Sequence, residues 1–324
     1  MSKTLVLIMN LGSPDEPTKK ALKRYLLEFL SDYRVIERQG LLWQLILRGI
    51  ILNTRPKKSA AKYQKIWLAN GASPLLHYTK ALTAALNKKI GTARVDVDFA
   101  MRYGNPDVSE VLDRHSDIDT LIVLPLYPQY SMTTTASCLD AVYGYYQKRS
   151  FIPSIHFIND YYRHEVYIKA IADSIKQHWH QFAKAEMLLF SFHGLPQSYI
   201  EKGDPYYDQC LLTAKAIAES LALEQNHWRV SFQSRFGVAK WLKPATDITL
   251  KQLADSGIRS VDIICPGFAV DCLETLEEIA IENRKMFLEA KGHSFHYIGC
   301  LNDNKRHVEL LTEVIAGYLS RSLK

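Results

Sequence analysis

Glu186-Met-Leu-Leu-Phe-Ser-Phe-His193-Gly-Leu-Pro196 is an apolar, strand-like run that ends on a histidine and is stopped by Gly194 and Pro196. A second stretch has the same build. Val261-Asp-Ile-Ile-Cys-Pro-Gly-Phe268-Ala-Val-Asp271-Cys-Leu-Glu274-Thr-Leu-Glu277-Glu278 reads as a strand, a Pro-Gly break and an acidic helix start. In an open α/β sheet, ligands bind in the crevice outside the carboxyl ends of the strands. A histidine from one strand end and carboxylates from another then converge on one ligand.

The rest of the chain follows the same rhythm. Strands are predicted at 4–10, 95–101, 120–126, 154–158, 187–192, 229–233, 260–265 and 294–298. Amphipathic segments at 19–30, 75–90, 137–147, 165–182, 209–221, 245–255 and 273–290 lie between them. Alternation at this spacing predicts parallel sheets covered on both faces by helices. The expected organisation is two similar α/β domains, 1–150 and 151–304. A closing helix at 305–323, apolar at Val308, Leu311, Val314, Ile315 and Leu319, packs back to complete the first domain through residues 305–324.

A length of 324 residues suits two domains, and 47% hydrophobic with 23% charged residues is ordinary for a folded chain. The net charge of +6 is mildly basic and does not call for nucleic acid as a partner. No charge-free window approaches the ~20 residues of a membrane span. The amino terminus runs straight into a strand without a small-residue cleavage site, so no signal peptide is expected. Five scattered cysteines without a C-x-x-C fit reduced thiols in a cytosol and disfavour a disulfide scaffold or a cysteine zinc site.

The turns after the strands read Asn10-Leu-Gly-Ser-Pro14, Arg102-Tyr-Gly-Asn-Pro106, Tyr127-Pro-Gln-Tyr-Ser131, His193-Gly-Leu-Pro196, Gln233-Ser-Arg-Phe-Gly237 and Cys265-Pro-Gly-Phe268. None is a G-x-G-x-x-G or a G-x-x-x-x-G-K-[ST], so a dinucleotide or triphosphate cradle is missing. Taken singly, each turn is explained by ordinary glycine and proline chemistry. Together, their Tyr, Arg, Phe and His suit a site for a large flat ligand.

A lone histidine at a strand end is more often structural than catalytic, yet imidazole accepts a proton or a metal near neutral pH. Asp271 and Glu274 have the three-residue spacing of a capping box. Glu278 and Glu282 continue their face at i+4 spacing. The row reads equally as a solvated face or as metal-attracting oxygens followed by a proton path, and patterning alone leaves both open.

The stretch Leu189-Phe-Ser-Phe-His193-Gly-Leu-Pro-Gln-Ser-Tyr-Ile-Glu-Lys-Gly203-Asp-Pro-Tyr206 closely resembles the signature of ferrochelatases. Tyr127-Pro-Gln-Tyr-Ser131, Gln233-Ser-Arg-Phe-Gly-Val-Ala-Lys-Trp241-Leu-Lys-Pro and Pro266-Gly-Phe268 through Asp271-Cys-Leu-Glu274-Thr-Leu match in order, so the resemblance covers nearly the whole chain. It implies two Rossmann-like α/β domains of the flavodoxin or chelatase type with a porphyrin cleft between them. It also implies insertion of Fe²⁺ into protoporphyrin IX, the last step to heme, with both as substrates. Coproporphyrin as substrate, or a non-enzymatic porphyrin or heme carrier, are the alternatives.

The resemblance places His193 and Glu274 facing the macrocycle. His193 is expected to accept pyrrole protons, and Glu274 to hold metal or protons with it, the pair forming the expected metal site. Asp271 and Glu278 are expected to carry protons or metal along the helix. Trp241, Phe268, Tyr127 and Leu11 match positions that wall the pocket, while Arg102, Tyr103 and Ser131 meet propionates or the ring edge. Relatives often carry His where this chain has Cys272, which leaves that position without an expected ligand role.

Leu41-Leu-Trp43-Gln-Leu-Ile-Leu-Arg48-Gly-Ile-Ile-Leu52 matches the apolar lip of the family and precedes Arg55, Lys57, Lys58, Lys62 and Lys65. A buried helix explains half of these side chains, and a loose membrane-surface contact explains the rest. The expected location is cytoplasmic, at most peripheral on the inner face of the membrane. Some family members hold a C-terminal iron–sulfur cluster with clustered cysteines. Cys300 alone lies near this C-terminus, so no cluster and no permanently bound cofactor is expected.

Overall fold

A computed structural model describes residues 3–37, 39–237 and 239–322. Val238 of the Gln233–Pro244 motif and the last residue of the helix expected at 305–323 lie outside them. The chain divides into two compact units. One comprises residues 1–127, 131–160 and 311–324, and the other residues 128–130 and 161–310.

The first unit is built on strands β1 (Thr4–Asn10), β2 (Val95–Met101), β3 (Thr120–Pro125) and β4 (Ser154–Phe157), all parallel, in the order β2-β1-β3-β4. All seven residues of β1 are buried, as expected of a central strand with helices over both faces. Leu5, Leu7 and Met9 alternate onto one face, where they pack with Val111, Leu121, Val123, Cys138 and Val142. Helix starts are chemically marked. Thr18 Oγ1 accepts from Ala21 N–H, Ser73 Oγ accepts from Leu76 N–H with Pro74 opening the helix, and Asp107 Oδ1 accepts from Glu110 N–H. Tyr318 of the last helix, Lys305–Ser322, lies 6.3 Å from the ring of His156 in this unit.

The second unit repeats the plan with β5 (Met187–His193), β6 (Trp228–Gln233), β7 (Ser260–Ile264) and β8 (Ser294–Ile298), again all parallel, in the order β6-β5-β7-β8. Numbered from its own first strand, this is the same 2-1-3-4 order, the flavodoxin-like form of a doubly wound sheet. Its core joins Met187, Leu189, Val261, Ile263 and Phe295 from the sheet to Leu250, Leu253, Ile279 and Phe287 from the helices. In such a sheet the ligand crevice opens where β5 and β7 part, at their carboxyl ends.

The expected helix at 273–290 takes an unexpected form. Glu274–Asn283 is a π-helix and only Arg284–Glu289 is α-helical. Widened turns of this kind concentrate at functional sites. A second π segment, Met132–Ala136, leads into the helix Ser137–Tyr146. The apolar run at 41–52 also breaks, into Leu41–Ile46, a π turn Leu47–Ile51 and the start of Leu52–Ile66. Leu47 and Leu52 are buried against Leu30, whereas Leu41, Leu42, Leu45 and Ile50 are exposed. Among the described residues no helix is long and apolar enough to cross a membrane.

Candidate active site

His193 is the last residue of β5 and is partly exposed. Its Nδ1 lies 2.7 Å from the carbonyl oxygen of Gly194, a contact in which Nδ1–H donates. The neutral ring therefore carries its lone pair on Nε2. Burial pushes the imidazole pKa below its ordinary value, and the Glu274 carboxylate and the Gly194 carbonyl offset this only in part. At neutral pH the ring is an uncharged acceptor.

The turn after His193 is held rigid by its neighbours. Gly194 N–H donates to Gln233 O at 2.7 Å, Gln197 N–H to Lys240 O at 2.7 Å and Leu242 N–H to Leu195 O at 2.9 Å. A Cβ on Gly194 would meet Gln233 O at 2.7 Å and Trp241 Cε3 at 3.3 Å, so this approach requires glycine. Trp241 Nε1 donates to Phe236 O at 2.8 Å and the two rings stand 4.9 Å apart. Phe268, after the Pro-Gly break that follows β7, has its ring 6.4 Å from that of His193. His193, Trp241 and Phe268 thus gather at the strand ends of the second unit.

Gln233 ties the acidic helix to the sheet. Its Nε2 donates to the backbone carbonyl of Glu274 at 2.9 Å, and its Oε1 accepts from Ser191 Oγ at 2.7 Å. The next residue, Ser234, has φ +65°, a strained value for a residue with a side chain. In that conformation its N–H donates to Glu278 Oε1 at 2.7 Å and its hydroxyl to Oε2 at 2.5 Å. Both oxygens of Glu278 are thereby fixed. Glu274 and Glu278 are partly exposed, and Glu282 is exposed.

The other expected site residues divide. Asp271 is buried and fully engaged. Its Oδ1 accepts from Tyr297 OH at 2.6 Å and Thr275 Oγ1 at 2.9 Å, and its Oδ2 from Asn302 Nδ2 at 2.7 Å. The capping-box geometry is absent here, because Asn302 Oδ1 rather than Glu274 receives the Asp271 N–H, at 2.8 Å. Arg102 and Tyr103 are engaged with a buried carboxylate of the first unit. Tyr103 has no exposed surface, and its hydroxyl donates to Asp32 Oδ2 at 2.7 Å. Arg102 Nε donates to Ser137 Oγ at 2.6 Å and its guanidinium pairs with the same Asp32. A buried carboxylate needs such partners, and satisfying it consumes both side chains. Ser131 is buried at the start of the π segment, where its hydroxyl accepts from Thr133 N–H. Leu11 follows β1 and is partly exposed, and Tyr127 follows β3 and packs on the first unit's core.

Sequence reading passed over Gln233, Ser234 and Glu277. The first two were visible as a polar pair directly after a strand. Glu277 is fully buried, a placement that an acidic residue beside Glu278 did not reveal.

Two parallel sheets of one topology, with an uncharged histidine and carboxylates at the strand ends of the second, define an α/β protein of the chelatase class. Solved chelatases share this fold. A sirohydrochlorin chelatase from Bacillus subtilis subspecies spizizenii, in complex with cobalt, superposes with a TM-score of 0.53 at 9% identity, over 96% of this chain and 93% of that one. The structure described as SirB from Bacillus subtilis with Fe³⁺ gives 0.54 at 11% identity, over 97% and 94%. Sequence comparison goes further. The ferrochelatase family profile matches residues 3–319. The ferrochelatase of Methylococcus capsulatus is 49% identical over 98% of both chains, and that of Teredinibacter turnerae is 48% identical over 97% of this chain and 87% of its own. The chain belongs to the ferrochelatase family, lyases that insert iron in heme biosynthesis.

Proposed function

We propose that this protein inserts Fe²⁺ into protoporphyrin IX to form protoheme, with His193 as the pyrrole proton acceptor. Insertion requires two N–H protons to leave the macrocycle, the ion to shed water, and the ring to buckle so that its lone pairs meet the metal. The observation that carries the reading is the 2.7 Å contact between His193 Nδ1 and the Gly194 carbonyl oxygen. Nδ1–H is held by Gly194 O and burial keeps the ring neutral, so Nε2 is the atom that takes a proton. Glu274 lies close enough to His193 for its carboxylate to raise the imidazole pKa, so it stabilises the imidazolium formed on proton uptake and attracts the dication.

Glu278, clamped by Ser234, is the next carboxylate along the helix and receives protons or metal from Glu274. Asp271 acts one step removed, by anchoring the start of that helix. Trp241 and Phe268, at the strand ends of the second unit, press on the macrocycle. Imidazole and carboxylate together suit borderline divalent ions, so Co²⁺ and Zn²⁺ compete with Fe²⁺. The exposed Leu41, Leu42, Leu45 and Ile50, followed by a basic helix, support a loose contact with a membrane surface.

The test is anaerobic turnover of the purified protein with Fe²⁺, offering protoporphyrin and coproporphyrin side by side. Preferred metallation of protoporphyrin is expected. Binding of either porphyrin without metal insertion overturns the enzymatic reading, and preference for coproporphyrin overturns the substrate.

A further inference from the structure

Away from the strand ends, the second unit brings two histidines and an aspartate together. Asp262 and His296 are register partners on the adjacent parallel strands β7 and β8, so their side chains stand side by side on one face. His178, from the last turn of the helix Glu165–Gln181, covers them. Asp262 Oδ1 is 3.4 Å from His178 Nε2 and 3.2 Å from His296 Nδ1, and the three donor atoms all lie within 4.8 Å of one another. Asp262 also pairs with Leu188, five residues before His193 in β5. At ~3.3 Å per residue, that puts it roughly 16 Å along the sheet from the histidine of the strand end.

We propose that His178, Asp262 and His296 form a binding site for a divalent zinc-class cation, separate from the site of iron insertion. Two neutral imidazoles and one carboxylate are the donor set of open, three-ligand zinc sites. Bonds of about 2.0–2.1 Å to a tetrahedral ion put neighbouring donors about 3.3–3.4 Å apart, which the two contacts to Asp262 already match.

Two observations favour an ion over a plain hydrogen-bonded cluster. The Nε2 of His178 is buried and has no hydrogen-bond partner, although it points at Asp262. Asp262 is 1% exposed and its other oxygen is already fixed, accepting from Trp179 Nε1 at 2.7 Å and Ala185 N–H at 3.2 Å. His296 Nε2 faces Ser294 Oγ at 3.4 Å. His296 Nδ1–H donates to Asp262 Oδ1 at 3.2 Å, and an ion that binds here would displace this proton and take the Nδ1 lone pair, with Nε2 then able to donate to Ser294 Oγ as an outer partner. Packing completes the wall, since Phe182 stacks on both His178 and His296, with centroids 4.8 and 5.2 Å apart. The partly exposed His296 side chain, at 32%, leaves the fourth position open to water. A bound ion would fasten the end of the covering helix to the sheet.

The test uses the full chain carrying His193→Ala and Glu274→Gln, which removes the competing donors at the strand ends. Metal-stripped protein is titrated with Zn²⁺ by calorimetry and with Co²⁺ by its visible absorption. One equivalent of Zn²⁺, a tetrahedral Co²⁺ spectrum and a melting temperature that rises with Zn²⁺ are expected. Adding His296→Gln, on the partly exposed edge strand, should weaken Zn²⁺ binding at least about tenfold, and His178→Gln should do the same. The proposal fails if the parent variant binds no Zn²⁺, in which case the cluster holds only protons. It also fails if both glutamine variants bind Zn²⁺ as the parent does. Failure here leaves the iron-insertion reading untouched, because that reading is tested by porphyrin turnover in the unsubstituted protein.

Discussion

Ser234 holds Glu278 by both carboxylate oxygens, and it does so from a left-handed backbone conformation at φ +65°. The strain is offset by two charge-assisted bonds that aim a carboxylate at the carboxyl ends of the second sheet. Ser234→Ala keeps the N–H bond and loses the hydroxyl bond. A hydrogen bond to a charged group contributes roughly 1.5–3 kcal/mol. We expect iron insertion per folded molecule to fall about tenfold or more, with a small drop in melting temperature. Unchanged turnover would show that clamping Glu278 has no part in the reaction.

His193→Ala removes the proposed proton acceptor. Loss of a general base costs ~10²–10⁴-fold in rate. The side chain is partly exposed, and among the described residues its hydrogen bond goes to the carbonyl of the next residue, so circular dichroism and melting should match the parent. A folded variant that keeps most of the parent's turnover would sink the assignment.

The pH dependence follows from the direction of the His193 shift. Its folded-state pKa is lowered, mainly by burial, so the folded protein resists protonating it. Between that lowered value and the ordinary imidazole value of ~6.5, the unfolded chain binds the extra proton. This contribution to stability is therefore lost as pH falls through that window, and His193→Ala should flatten the dependence there. The acidic limb of kcat/KM should likewise lie below pH ~6.5. Glu274→Gln removes the charge that pulls the pKa up, so NMR titration of His193 should give a still lower value in that variant. A rise would mean that the two groups are not coupled as described.

Much of this architecture is legible in the amino-acid sequence, for reasons that differ by element. The central strands announce themselves because strands covered on both faces are nearly continuous apolar runs, as in 4–10 and 187–192, whereas 95–101 and 154–157 are more polar and show as strands by their place in the alternation. The placement of His193 and Phe268 at strand ends follows from where those runs stop, at Gly194 and at the Pro-Gly break after β7. The π form of Glu274–Asn283 was not readable, since i+4 acidic spacing looks the same on an α-helix. The fate of Arg102 and Tyr103 was hidden because it depends on Asp32, some 70 residues away in sequence. The His178, Asp262 and His296 cluster likewise joins a helix to two strands that only folding brings together.

Glu274→Gln separates a chemical role from a structural one. Gln233 bonds the backbone carbonyl of Glu274, and Asn302 rather than Glu274 receives the Asp271 N–H, so the substitution breaks neither contact. Folding stability should change by about 1 kcal/mol or less. Activity should fall much further, because an amide neither takes up a proton nor neutralises a dication. An early melt with normal turnover per folded molecule would reverse the assignment.

Asp271→Asn should give the opposite pattern. Three donors converge on this buried carboxylate, from Thr275, Tyr297 and Asn302. Burial already pushes the Tyr297 phenol well above its ordinary pKa, and the Asp271 charge adds to the effect, so the phenol remains a donor. An amide at 271 turns an NH₂ group toward one of these donors and leaves a buried pair unsatisfied, at a cost of about 1–3 kcal/mol. The melting temperature should fall by several degrees. Activity per folded molecule should fall less than in Glu274→Gln, because Asp271 positions the helix from its base and has no free oxygen to offer a metal. If Asp271→Asn instead melts like the parent yet loses iron insertion as completely as Glu274→Gln, its carboxylate belongs to the reacting groups and the anchoring role is wrong.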